Sequence, residues 1–167
     1  MYNVVFLDID GVLNSNFWLD CNQKEISSGK LVDREKVKLL GSFVHAVNAK
    51  IILHSGWRFW FDDNLKPLRI ETEQLLELFK EEGLKIDGVT PDLTTEEIKR
   101  TKKFSLVKAD EILLWKSKHK DVKGWVVLDD LDLHNAEVEK HQVKTDQTIG
   151  LTVDDLKEAD RILGMEA

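Results

Sequence analysis

Val4-Val5-Phe6-Leu7-Asp8-Ile9-Asp10-Gly11-Val12-Leu13-Asn14 is the stretch whose reading decides the fold. It opens as an apolar, β-branched run, the pattern of a buried strand. It then breaks into two carboxylates, Asp8 and Asp10, and a glycine. Residues i and i+2 of an extended chain point the same way, so both carboxylates share one small space at the strand's carboxyl end. Like charges there repel and are costly to desolvate. A divalent cation removes that cost, and Mg²⁺ is the hard ion that carboxylates suit. Gly11 permits the positive φ or close backbone approach that a tight turn around a ligand needs. The plainer reading is a strand followed by an acidic turn. An EF-hand loop does not fit, because the twelfth position from Asp8 is Leu19 rather than Glu.

Outward from this stretch, strands alternate with helices. Val37, Leu40, Val44 and Val47 recur at helical spacing and predict an amphipathic helix over 33–48 with Asp33 as N-cap. Lys50-Ile51-Ile52-Leu53 reads as a second buried strand. Leu75, Leu76, Leu78 and Phe79 mark a helix over 71–82 ended by Gly83. A short strand is expected at 86–89, then a loop with a helical turn over 90–103 and a helix over 106–118. Gly124-Trp125-Val126-Val127-Leu128 is a third clear strand, 142–145 a fourth candidate, and Thr152-Val153-Asp154-Asp155 opens a final helix with a capping-box pattern. The polar segment 14–30 reads as turns. This order predicts an α/β fold, a three-layer Rossmann-like sandwich with a mainly parallel sheet and right-handed crossovers.

The chain of 167 residues suits one domain, 1–167, with no internal repeat or linker. A net charge of −7 gives no sign of a broadly basic nucleic-acid surface; Lys99-Arg100-Thr101-Lys102-Lys103 is a local basic strip, for which a solvated loop or helix end is the plainer reading. No apolar run approaches a membrane span, and no signal or transit segment is visible before the first strand, so no membrane partner is expected. A lone Cys21 makes no internal disulfide, and a reducing, cytoplasmic setting is the expectation.

In open α/β sheets, ligands bind beyond the carboxyl ends of the strands. Each clear strand here ends in polar groups: Asp8-x-Asp10, His54-Ser55 and Asp129-Asp130. On one parallel sheet these three endings converge.

The opening stretch resembles the first motif of the haloacid dehalogenase-like (HAD) phosphohydrolases, an apolar strand followed by Asp-x-Asp-Gly-(Val/Thr)-(Leu/Ile). The resemblance implies that Asp8 is a nucleophile forming an aspartyl-phosphate and that Asp10 is the general acid/base. Carboxylates are established phosphoryl acceptors. Ile51 to Arg58 resembles the second motif, with Ser55 donating to a phosphoryl oxygen and Gly56 backbone nearby. His54 is the alternative register, and a helix N-cap is the alternative role for Ser55. His54 and Gly56 depart from the small hydroxyl residues frequent around this serine in the family. The third motif supplies a cation, assigned to Lys108, with Lys102 and Lys103 as rivals. Trp125 to Asp130 resembles the fourth, making Asp129 and Asp130 ligands for Mg²⁺ together with Asp8 and Asp10, the last through its backbone carbonyl.

The order of Ser-x-Trp-Arg, Thr90-Pro91, Glu111-Ile112-Leu113-Leu114-Trp115, Leu-Asp-Asp and Gly150-Leu151-Thr152 resembles the HAD branch of Swiss-army-knife RNA-repair proteins. The segments after Asp10 and Arg58 are too short for a folded cap, so an open site is expected. Trp57, Arg58 and Trp60 are candidates to stack a base or clamp a phosphate; core packing and an internal Arg–carboxylate pair are the alternatives. The implied function is an Mg²⁺-dependent phosphatase acting on a phosphorylated substrate, a nucleotide or nucleic-acid terminal phosphate. The alternatives are a phosphotransferase with the same intermediate and a non-catalytic Mg²⁺- or phosphate-binding module.

Overall fold

Alternation along the first strand sets the layers. Val4 and Phe6 face one side of the sheet and Val5 and Leu7 the other, all four inaccessible to solvent. A strand buried on both faces needs helices above and below it. The computed structural model describes residues 1–165 and shows this arrangement. The strands are β1 (Tyr2–Leu7), β2 (Ala49–Leu53), β3 (Gly88–Val89), β4 (Val122–Asp129) and β5 (Gln142–Lys144). They form one sheet in the order β3-β2-β1-β4-β5, with every pairing parallel.

The helices are α1 (Asn16–Cys21), α2 (Gln23–Ser27), α3 (Arg34–Val47), α4 (Ile70–Glu81), α5 (Glu96–Thr101), α6 (Ser105–Ser117), α7 (Ala136–Glu139) and α8 (Val153–Gly164), with a 3₁₀ turn at Gly56–Trp60. On the Val5/Leu7 face, Leu40 of α3, Phe79 of α4 and Ile162 of α8 complete the larger core. On the Val4/Phe6 face, Ile112 and Trp115 of α6 and Val138 of α7 complete the smaller one, where Phe6 meets Trp115 and Trp125 edge-on. This is the three-layer α/β sandwich that the sequence predicts. No separate cap domain occurs among the described residues, and none of their helices is long and apolar enough to cross a membrane.

Three segments differ from the sequence expectation. Residues 14–30 form α1 and α2 rather than turns. Ser15 caps Trp18 N–H, and the N–H groups of Asn16 and Phe17 donate to the carbonyls of Gln147 and Thr148, so a distant loop fixes a locally weak helix start. Residues 90–103 contain α5, capped by Thr95 on Ile98 N–H and ended by Lys102 in the left-handed conformation. Four residues too polar to signal a helix form α7, because Asn135 accepts from both Glu137 and Val138 N–H.

The chain runs β1 to β2 to β3 in one direction and then crosses to the other side of β1 for β4 and β5. This reversal opens a crevice at the carboxyl ends of β1 and β4. The loop before α8 closes against it, with Leu151 N–H donating to the Val12 carbonyl at 2.8 Å and Thr152 and Asp155 forming a reciprocal cap. Gly150 sits at φ 75°, and a Cβ there would lie 2.9 Å from the Asn14 carbonyl oxygen and 3.1 Å from that of Val12. Both obstacles are backbone. We therefore expect Gly150→Ala to destabilise the protein by roughly 1–3 kcal/mol, read as a lowered midpoint in thermal unfolding.

Candidate active site

The strand ladders continue to the site itself. Asp8 N–H donates to the Leu128 carbonyl and His54 N–H to that of Leu7, each at 3.0 Å. Asp8, His54 and Asp129 therefore stand on three adjacent strands with little backbone freedom. Asp129 is fully buried and accepts three hydrogen bonds: from His54 Nε2–H at 2.8 Å, from Lys108 Nζ at 2.9 Å and from Leu131 N–H at 2.9 Å. Burial pushes its carboxyl up, but the bonds from His54 and Lys108 outweigh that and hold it well below the usual carboxylate range. Burial lowers the His54 imidazole, so a neutral ring donates Nε2–H to an ionised Asp129. Its Nδ1 and the Thr90 hydroxyl, which follow the paired Leu53 and Val89, are buried without a partner.

Asp8 faces the opposite balance. Burial first and neighbouring Asp129 second raise its carboxyl well above the usual range, and Lys108 Nζ, 3.6 Å away, only partly opposes them. One carboxylate oxygen from each of Asp8, Asp129 and Asp130 lies within 4.8 Å of the others. Three oxygen donors this close form a hard-cation set and fit Mg²⁺. Asp130 is the most exposed of the three, while Asp129 already accepts three hydrogen bonds. The Asp10 carboxylate lies outside the cluster. Its oxygens accept instead from Asn14 Nδ2 at 3.0 Å and Trp57 Nε1 at 3.2 Å. Asn14 also accepts from Gly11 N–H and donates to the Leu31 carbonyl, so one side chain sets both the turn and the Asp10 rotamer. Gly11 satisfies both demands of its turn: φ is 81°, and a Cβ would stand 2.5 Å from Asp130 Oδ2.

From the sequence candidates, Asp8, Asp10, Ser55, Gly56, Trp57, Arg58, Lys108 and Asp130 line one cleft of about 730 Å³, with Asp129 beneath it. Ser55 Oγ accepts from Trp57 N–H at 3.1 Å, which is the N-cap role, and its O–H is left to donate into the cleft. Gly56 has nothing within 4 Å of a built Cβ, so its backbone is open. Lys108 reaches the carboxylates, whereas Lys102 and Lys103 are exposed and stand outside the cleft lining.

Arg58 takes the internal alternative. Its guanidinium donates to the carbonyls of His54, Ser55 and Thr90 and pairs with Glu111 Oε2 at 2.8 Å, both side chains buried. Glu111 Oε2 also accepts from Leu93 N–H. Trp57 is buried as well and packs against Trp60. Sequence reasoning assigned no role to Asn14 or Glu111, or to Phe59, Phe104 and Leu131, which also line the cleft. Asn14 had a signal, its place four residues after Asp10 in the turn. Phe104 had none.

The family model described as the HAD domain in Swiss Army Knife RNA repair proteins matches residues 4–156. No curated protein and no solved structure matches the chain.

Removing one partner of a buried ion pair leaves the other charge uncompensated, so Glu111→Ala should cost about 3–5 kcal/mol in chemical denaturation. In EDTA, Asp8→Asn should be more stable than the parent chain. A carboxyl raised in the folded state costs stability as pH rises above the unfolded aspartate range. The gain in the variant's melting midpoint should therefore grow from about pH 4 towards neutrality, by roughly 3 °C per kcal/mol relieved. A gain independent of pH would contradict this assignment.

Proposed function

The chain belongs to the family of the HAD domain in Swiss Army Knife RNA repair proteins, and from that premise and the cleft's geometry we propose an Mg²⁺-dependent phosphomonoesterase working through an Asp8 phospho-intermediate. The observation that carries this reading is the gathering of Asp8, Asp129, Asp130, Lys108 and Ser55 at the carboxyl ends of β1, β2 and β4, within one cleft or directly beneath it.

Asp8, Asp129 and Asp130 would hold the cation, with the Asp10 backbone carbonyl as the ligand that the family resemblance adds. Bound Mg²⁺ supplies positive charge against the carboxylates and the phosphoryl oxygens. Asp8 carboxylate attacks phosphorus, and the ester P–O bond breaks as the leaving oxygen takes a proton from Asp10. Asp10 then takes a proton from water, whose oxygen attacks phosphorus and releases Asp8. Asn14 and Trp57 aim the Asp10 carboxyl for both transfers. Lys108 offsets charge on Asp8 and Asp129, and the Ser55 hydroxyl donates to a phosphoryl oxygen. The substrate class is a phosphomonoester on a nucleotide or a nucleic-acid end, reached through an uncapped mouth.

The test is phosphate release from an aryl phosphate and from 3′- and 5′-phosphorylated oligonucleotides, with Mg²⁺ or EDTA. Release should require Mg²⁺ and fall by about three orders of magnitude or more in Asp8→Asn. Substantial turnover in that variant would overturn the covalent route. Undiminished release in EDTA would overturn the metal dependence.

A further inference from the structure

We infer that the cleft selects its substrate by the leaving group's flat, uncharged ring, a nucleobase held by Phe59, Phe104 and Leu131, and that it disfavours substrates in which a second phosphate is joined directly to the one released, as in a nucleoside triphosphate. This rests on the phosphomonoester reading of the same cleft.

Two observations carry it. The first is that neither side-chain cation lining the cleft is spare among the described residues. The cations lining the cleft are Arg58 and Lys108. Arg58 is spent on Glu111 and on main-chain carbonyls, and Lys108 on Asp129 and Asp8. Asp10 and Asp130 face the same space. A second phosphate joined directly to the one released would meet the Asp10 and Asp130 carboxylates with no uncommitted side-chain cation beside them among the described residues, an arrangement that disfavours it.

The second is the apolar mouth. Phe59, Phe104 and Leu131 are 52, 47 and 41 % exposed, though each lines the cleft. They come from three separate segments: the 3₁₀ turn after β2, the residue before α6, and the loop after β4. Large apolar side chains left half in water around a polar floor suit a partner that is apolar on its faces and anionic at one end. Trp57 and Trp60 do not serve, because Trp57 is buried and the two rings pack together at 5.1 Å, with Arg69 over Trp60. Phe59 already carries the Arg58 guanidinium at 4.4 Å over its ring. A base stacked on the ring's other face would complete a sandwich. Base–aromatic stacking is sequence-tolerant and worth about tenfold or more in affinity for each base. A free nucleotide and the end of a strand present the same chemistry, a monophosphate beside one base.

Calorimetry on Asp8→Asn with Mg²⁺ separates binding from turnover. Adenosine monophosphate, a phosphorylated oligonucleotide, glucose 6-phosphate and adenosine triphosphate serve as ligands, and the parent chain is assayed on the same set. Adenosine monophosphate should bind about tenfold or more tighter than glucose 6-phosphate, with adenosine triphosphate weaker than the monophosphate. Adding Phe104→Ala or Phe59→Ala should weaken nucleotide binding about tenfold and glucose 6-phosphate binding far less. In the parent background the same changes should raise KM more than they lower kcat. Phe104→Trp, which keeps a flat ring, should retain tight binding. An oligonucleotide that outbinds the mononucleotide assigns the source to strand ends, and equal binding assigns it to free nucleotides; both uphold the ring selection. Equal binding of sugar and nucleoside phosphates, or Phe→Ala changes without effect, would overturn it. Selective binding without turnover in the parent chain would uphold the selection and overturn the phosphatase reading.

Discussion

Three carboxylates forced to within 4.8 Å of one another at the end of a buried sheet are the constraint around which the rest is arranged. Nothing about the fold requires them, and like charges at that distance oppose burial. The surroundings answer the cost unequally. Asp129 is neutralised by an ammonium, an imidazole N–H and a backbone N–H, and it stays ionised with no solvent contact. Asp8 receives a more distant share of the same lysine and a backbone hydrogen bond from Ile9, which do not offset its burial. Asp130 stays half-exposed beside a glycine that gives it room. Asp129 is thus the most firmly held of the three, Asp8 the one whose charge is least compensated and Asp130 the most open to solvent.

Holding that gradient in place requires the loops after β2 and β3 to keep their register with α6. Arg58 and Glu111 do this by joining the carbonyls of His54, Ser55 and Thr90 to the helix that carries Lys108. The turn of Lys108 towards Asp129 therefore depends on a pair one helical turn away that never touches the carboxylates. The C-terminal segment plays the matching part on the other side, where Thr145 Oγ donates to the Gly11 carbonyl and Leu151 N–H to that of Val12.

Features written in short sequence distances were readable without the structure. The apolar run before Asp8, the Asp-x-Asp spacing, the strand endings at Ser55 and Asp129, and the caps Asp33 and Thr152 all depend on neighbours within a few residues. They emerge where the sequence places them. What stayed hidden depends on partners far along the chain. Helix α1 needs carbonyls from residues 147 and 148. The choice between Arg58 as a substrate clamp and as an internal partner turns on Glu111, 53 residues on. The choice of Lys108 over Lys102 and Lys103 turns on where α6 begins, because only Lys108 of the three lies on that helix, on its buried face. Phe104 gave no pattern, because a single aromatic at a helix entry looks the same whether it rims a cleft or merely meets solvent.

The uncovered mouth also bears on timing. Enzymes that seal substrate beneath a mobile lid often have turnover limited by that lid's opening. Here the residues on the cleft floor stand on a laddered strand end, a capped turn or a helix braced by Arg58 and Glu111, and no separate domain among the described residues covers them. Such a site arrives at its working geometry before the substrate does. On the proposed phosphatase reading, encounter and chemistry rather than the opening of a lid would set its speed.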